Sequence, residues 1–181
     1  MHRLFVALRP PPAIRATLIA AMGGVPGARW QDDEQLHVTV RFLGDVARDQ
    51  AEDIATALSH VAAPVFAAAI DGVGAFDHRG RVDTLWARVL PVDPLAALHR
   101  KVDQALSRTG IAPDRRRYLP HVTLARLPRA GQDPVATARW IADHAALTTP
   151  AFALEHLYLF ESHLGREGAR YEAVARWPLA R

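Results

Sequence analysis

The 181-residue chain contains no cysteine, a single lysine (Lys101) and only two methionines. The absence of cysteine excludes disulfides, thiolate metal sites and a cysteine nucleophile. Lys101 does not sit in a Walker-type loop, and Gly72-Val73-Gly74 lacks the third glycine of a dinucleotide fingerprint, so no nucleotide cofactor is indicated. No apolar run approaches the ~20 residues a membrane helix needs, and the run before Pro10-Pro11-Pro12 is too short for a signal peptide. A cytoplasmic protein is the expectation. The scarcity of lysine leaves arginine to carry nearly all the positive charge, 22 basic against 19 acidic residues for a net +3. Arginine's planar fork suits phosphate better than lysine's point charge, which makes Arg115-Arg116-Arg117 a candidate lip for a polyanion.

What is present is a repeat. His37-Val38-Thr39-Val40 and His121-Val122-Thr123-Leu124 are the same apolar-flanked His-x-Thr motif, 84 residues apart (121 − 37). An apolar stretch ending in proline (Leu4 to Pro10; Leu85 to Pro91) precedes each motif and leads into a helical pattern, Ile14, Leu18, Met22 in one half and Leu95, Leu98, Val102, Leu106 in the other. After each motif comes a second helical pattern, Ile54, Leu58, Val61 and then Val135, Ala138, Ala142, Ala145. Pro64 and Pro150 each open a further apolar run. Each half therefore reads as strand, helix, His-x-Thr strand, helix, strand. The halves span roughly 1–76 and 81–181 of one domain, joined around Asp77-His78-Arg79-Gly80. Asp93-Pro94 and Asp133-Pro134 both read as helix starts, with an aspartate at the N-cap and proline at the first position.

The motif has a chemistry. Side chains alternate along a strand, so His37 and Thr39 share one face, as do His121 and Thr123, while the valines and Leu124 anchor the other. If the halves meet about a pseudo-twofold axis, two imidazoles and two hydroxyls enclose one small site. That set suits a phosphodiester: the threonines bond non-bridging oxygens, one histidine activates water and the other protonates the departing oxygen. No metal is demanded by this scheme. The remaining histidines, His2, His60, His78, His99, His144, His156 and His163, show no metal-ligand spacing and read as surface or packing residues.

With these motifs go Arg41-Phe42-Leu43-Gly44-Asp45 after the first, Ala125-Arg126 after the second, and the tail Leu164-Gly165-Arg166-Glu167-Gly168-Ala169-Arg170-Tyr171-Glu172. Over essentially its whole length the chain resembles the bacterial RNA 2′,3′-cyclic phosphodiesterases of the two-histidine phosphoesterase superfamily, historically described as 2′-5′ RNA ligases. The resemblance implies a bilobal α+β fold with antiparallel sheets lining a central cleft. It implies metal-independent opening of a 2′,3′-cyclic phosphate end of RNA to a 2′-phosphomonoester by a monomer, with His37 as proton donor and His121 as proton acceptor. Ligation of 2′-5′ ends on the same site and non-catalytic binding of RNA ends remain the alternatives.

Phe42 and Arg126 each lie five residues after their histidine, and the resemblance implies that both reach the nucleotide, one by stacking and one near phosphate or base. Strict alternation puts an odd offset on the opposite face. Either each strand ends or bulges after its threonine, or Phe42 is a core residue and Arg126 a surface one.

Overall fold

The computed structural model describes residues 1–165 and 168–180; Arg166 and Glu167 of the tail motif lie outside the described residues. In chain order the elements are β1 (His2–Leu8), α1 (Pro12–Ala20), β2 (Arg29–Trp30), a 3₁₀ turn (Asp33–Gln35), β3 (Val38–Val46), α2 (Arg48–Ser59) and β4 (Phe66–His78). They continue with β5 (Arg81–Leu90), α3 (Val92–Ser107), β6 (His121–Arg126), α4 (Pro134–Asp143), β7 (Phe152–Leu154), β8 (His156–Gly165) and β9 (Gly168–Pro178). The two halves carry the expected order of strand, helix, His-x-Thr strand, helix, strand.

The nine strands among the described residues join in one antiparallel sheet in the order β7-β4-β5-β6-β3-β1-β8-β9, with β2 added beside β6. At its centre Val38 pairs with Val122, which are equivalent residues of the repeat, so the pseudo-twofold axis passes between them. About that axis β3 matches β6, β1 matches β5 and β8 matches β4. The closing strand of each half therefore pairs with the opening strand of the other: β4 lies along β5 and β8 along β1. Ala67 pairs with Ala153 through the same symmetry.

Alternation sorts the side chains onto the two faces of the sheet. On β1, Leu4, Val6 and Leu8 join the main core, whereas Phe5 and Ala7 pack with Phe160 on the other face. The helices supply the other wall of the main core through Leu18, Ile54, Leu58, Leu95, Leu98 and Leu106, all fully buried. Full burial of a side chain of this kind stabilises by about 1.5–3 kcal/mol.

Local chemistry explains the boundaries, and in two places it corrects the sequence reading. Asp133 does cap α4, accepting from the Ala136 N–H at 2.9 Å, but Asp93 lies inside the first turn of α3, whose N-cap is Pro91. There the carboxylate favours the positive end of the helix without bonding its N–H groups. The stripe Val135, Ala138, Ala142, Ala145 faces solvent, and α4 instead buries Thr137 and Trp140. Trp140 carries far more apolar area than any alanine and donates its indole N–H to Ala21 O at 3.0 Å, which sets the phase of the helix. The joint between halves is a hairpin: His78 pairs with Arg81, and Arg79 and Gly80 have φ of 54° and 77°, as a two-residue turn matching strand twist requires.

Gly74 faces Trp86 across the β4–β5 ladder, and a Cβ there would run into the indole ring. Trp86 in turn lies 5.9 Å from the His121 ring, centroid to centroid. Gly74→Ala is expected to cost about 1–3 kcal/mol by overpacking, read as a thermal midpoint lower by several degrees. An unchanged midpoint would show that Trp86 can move aside freely.

Candidate active site

His37 immediately precedes β3 and His121 opens β6. Each imidazole donates its Nδ1–H to the carbonyl two residues before it, Gln35 O for His37 and Leu119 O for His121, at 2.7 Å in both cases. A carbonyl only accepts, so each Nδ1 carries the proton and, in the neutral ring, each Nε2 is left with its lone pair. The Nε2 of His37 lies 3.1 Å from the Thr39 hydroxyl, and Thr123 is the corresponding residue of the second motif.

Both strands bulge directly after the threonine. In the β1–β3 ladder Ala7 pairs with Thr39 but Val6 pairs with Arg41, leaving Val40 as the extra residue. In the β5–β6 ladder Trp86 pairs with Thr123 but Leu85 with Ala125, leaving Leu124 extra. A bulge adds one residue and so reverses the faces beyond it. Val40 and Arg41 are accordingly both buried, as are Leu124 and Ala125, and Phe42 and Arg126 return to the histidine face. The Phe42 ring lies 5.7 Å from Phe5, itself 4.9 Å from His37, and is 52% exposed. Arg126 donates to Thr84 Oγ1 at 2.8 Å.

Three of the bulge carbonyls bond groups outside the two ladders. Tyr118 Oη donates to Thr39 O at 3.0 Å, His99 Nδ1 to Val40 O at 2.8 Å, and the Gln31 N–H to Leu124 O at 2.8 Å. His99 is buried and stacks on Tyr118 with ring centroids 4.6 Å apart. Arg41 bonds Asp103 at 2.8 Å and Phe42 O at 2.7 Å and also reaches Ala112 O, tying the loop before β6 to β3. Sequence reasoning missed these supports because each joins segments distant in the chain, and no local pattern announces that.

A cavity of about 370 Å³ is lined by Phe5, Gln35, Phe42, Ser162 and Tyr171 together with Arg3, Arg29 and Arg126; it lies beside His37, whose ring is 4.9 Å from Phe5 and 5.2 Å from Tyr171. Arg3 and Arg29 were absent from the sequence reading, and Tyr171 entered it only within the tail motif with no role assigned; all three reach the wall because β1, β2 and β9 converge there. The run Arg115-Arg116-Arg117 is exposed, with Arg116 paired to Asp114 at 3.0 Å. Arg116 and Arg117 border a smaller crevice of about 140 Å³ on the far side of Phe42.

Burial pushes His37 down to about 4, helped by the charges of His121, Arg126 and Arg9 and opposed by the Gln35 carbonyl. His121 is lowered for the same first reason, with Arg126 adding to it and the Leu119 carbonyl opposing it. The rings of Phe5, Phe160 and Tyr171, with centroids 4.9, 6.3 and 5.2 Å from His37, supply the desolvation. Burial also raises the Tyr171 phenol, while Arg126, Arg29 and Arg3 pull it back. Among the described residues no cluster of three or more His, Cys, Asp or Glu side chains is arranged to hold a metal ion, and no helix is long and apolar enough to cross a membrane.

Fold and site together define a duplicated α+β protein whose two His-x-Thr strands meet at the centre of one sheet and share a basic, aromatic-walled cleft. The chain belongs to the 2′-5′ RNA ligase superfamily, whose sequence profile matches residues 10–166. It is 30% identical over 161 residues to an RNA 2′,3′-cyclic phosphodiesterase of Geobacillus stearothermophilus, covering 88% of this chain and 50% of that protein; the match thus spans about half the length of that relative. It is 32% identical over 130 residues to a protein of the same name from Archaeoglobus fulgidus, covering 70% of this chain and 73% of the other. Among solved structures, E. coli LigT complexed with 3′-AMP superposes with a TM-score of 0.78 at 24% identity over 99% of both chains.

A histidine held neutral by its surroundings makes stability depend on pH. The unfolded chain protonates His37 near its ordinary value of about 6.5, the folded one only near 4. The unfolded state therefore binds more protons between those values, so this contribution to stability is complete above about 6.5 and is lost as pH falls toward 4. Replacing His37 with Gln is expected to flatten the fall in thermal midpoint between pH 7 and pH 4.5, by no more than about 3 kcal/mol at the acid end. Parallel curves for the two proteins would show that His37 titrates normally.

Proposed function

We propose that this chain hydrolyses 2′,3′-cyclic phosphate ends of RNA or oligonucleotides to 2′-phosphomonoesters by general acid–base catalysis between His37 and His121. The observation that carries the reading is the duplicated geometry: two Nε2 atoms on strands paired at the pseudo-twofold axis, each imidazole fixed by a carbonyl on its far side. The related proteins from Geobacillus stearothermophilus and Archaeoglobus fulgidus carry the name of this activity.

In the proposed reaction His121 Nε2 takes a proton from water as its oxygen attacks phosphorus. The phosphorus–O3′ bond breaks, and His37 Nε2 protonates the leaving 3′ oxygen. Burial depresses both imidazoles, so the acid must gain its proton as substrate binds. The anionic phosphodiester between the rings supplies that bias, because a negative charge close by raises an imidazole's affinity for protons. Thr39 and Thr123 donate to the non-bridging oxygens, Arg126 balances the charge that builds on them, and Phe42 offers an exposed ring to the terminal base. Proton transfer and charge stabilisation are both supplied by side chains, so the scheme calls for no metal. One chain supplies both histidines, and the strand exchange between halves joins them as one domain. The reading therefore needs no second copy, and RNA ends as substrate fit a cytoplasmic location.

His37→Ala and His121→Ala are each expected to lower turnover of an oligonucleotide 2′,3′-cyclic phosphate by ~10²–10⁴, with folding retained. Identification of the product as a 2′-phosphomonoester, with chelator present, tests the reaction itself; joined 2′-5′ products would favour the ligase alternative. Near-normal turnover in either folded variant would remove that histidine from the mechanism.

Phe42→Ala is expected to weaken oligonucleotide binding by ~1–3 kcal/mol, the usual worth of stacking a base on an aromatic ring. Its exposure predicts little change in thermal stability. A loss of about 3–5 kcal/mol in folding free energy with normal affinity, the pattern of a truncated core aromatic, would contradict that role.

A further inference from the structure

The cleft holds more positive charge than one phosphate requires. Arg126 lies five residues beyond His121 and accounts for the charge near the reacting centre. Arg3 and Arg29 come from β1 and β2, and both line the same cavity as Arg126. No carboxylate lines that cavity among the described residues. Asp45 stands opposite Arg3 in the ladder but forms no ion pair with it among those residues. Asp32, whose field reaches the Tyr171 hydroxyl, is engaged in capping the 3₁₀ turn through the Gln35 N–H at 2.9 Å. Three guanidinium groups gathered round one hydroxyl repel one another, and an anion relieves that repulsion.

The register shows which part of a substrate these residues can meet. From the reacting centre outward, the cleft face of β1 presents Ala7 beside Thr39, Phe5 beside Phe42, and then Arg3 beside Asp45. Ala7 and Arg3 are four residues apart, roughly 13 Å along the strand. The Phe5–Phe42 ring pair lies between them. Arg29, paired with Arg126 in the β2–β6 ladder, closes the opposite side. In a nucleoside 2′,3′-cyclic phosphate the base and C5′ both leave the ribose on the side away from the cyclic phosphate, so with the phosphate at the histidines and the base at Phe42 the 5′ carbon is left to face this outer end.

We propose that Arg3 and Arg29, with Tyr171 in the same cavity wall, form a second anion subsite that takes the phosphate on the 5′ side of the terminal nucleoside. This rests on the reading of the cleft as a cyclic phosphodiesterase site, and it makes the protein selective for ends that carry a second phosphate. The recognised chemistry is a phosphate ester at O5′, whether the internal diester of an RNA strand or a terminal monoester. Arginine suits both because its fork bonds paired phosphate oxygens.

The test compares three substrates at low salt: adenosine 2′,3′-cyclic phosphate, its 5′-phosphorylated form, and the dinucleotide ApA ending in a 2′,3′-cyclic phosphate. Wild-type protein is expected to show a kcat/KM at least tenfold higher for one or both phosphate-bearing substrates than for the 5′-hydroxyl nucleoside. Preference for the dinucleotide alone assigns the subsite to an RNA strand, and preference for the monoester alone to a free 5′-phosphate. In the Arg3→Gln, Arg29→Gln double variant the ratio should fall close to one, and the salt dependence of kcat/KM for the favoured substrate should become shallower. Equal rates for the three substrates in wild type would overturn the proposal. So would a double variant that slows all three alike, since Arg3 and Arg29 would then serve the reacting phosphate itself. Calorimetry with the inert product analogues adenosine 2′-monophosphate and adenosine 2′,5′-bisphosphate reads the subsite without turnover. Tighter binding of the bisphosphate by wild type, lost in the double variant, is the expected result even if no cyclic phosphate is hydrolysed, and equal affinity for the two analogues overturns the subsite. Absence of turnover on every substrate would count against the phosphodiesterase reading alone.

Discussion

The cleft depends on the pairing of Val38 with Val122 and on one extra residue in each strand shortly after it. The pairing puts His37 and His121 at matching points on neighbouring strands, and the bulges at Val40 and Leu124 turn Phe42 and Arg126 back to the same face. Without the bulges a period of two sends those side chains into the helix-covered core, where a guanidinium is costly to bury. A bulge also takes its carbonyls out of the ladder, and an unsatisfied buried carbonyl costs about 1–3 kcal/mol. Tyr118, His99 and the Gln31 N–H meet that need. The shape of the site is thus held in part by His99 and Tyr118, which do not line its cavity.

The two halves share a backbone plan and differ in what they hang on it. Beside His37 the cleft is aromatic, with Phe5, Phe160 and Tyr171 around the ring. In the ladders Thr84 holds the place of Phe5, and it accepts a hydrogen bond from Arg126. His121 has Phe76 and Trp86 for neighbours, with centroids at 4.9 and 5.9 Å. Two imidazoles with identical backbone partners therefore meet different surroundings, the condition under which a matched pair can divide acid and base roles.

The repeat and the element order were legible because the repeat writes the same pattern twice, and apolar periodicity marked the helices wherever the apolar residues were large, as with Leu95, Leu98, Val102 and Leu106. It misled in α4, where four small residues at helical spacing outnumber the single Trp140 that governs packing. The exchange of closing strands was not legible, since β4 and β8 have the composition of any buried strand and pairing partners are a tertiary choice. His99 read as an ordinary packing histidine because its role is to donate to one carbonyl 59 residues away in sequence. Arg3 and Arg29 carry no motif at all. They become neighbours only when β1 and β2, which never touch in the sheet path, flank the same cavity.

Strand exchange also bears on how such a site works. Each half closes with a strand hydrogen-bonded into the other, so the two histidines belong to one continuous sheet rather than to two bodies able to hinge apart. The placing of the two imidazoles is then set by ladder hydrogen bonds, so in the proposed reaction they stand ready before substrate arrives. Preorganised donors need no rearrangement as charge moves in the transition state. Burial among Phe5, Phe160 and Tyr171 favours the neutral form of His37, so in the proposed reaction the anion that enters supplies the balancing charge for the imidazolium. In the proposed mechanism, binding the phosphodiester and arming the acid are therefore one event.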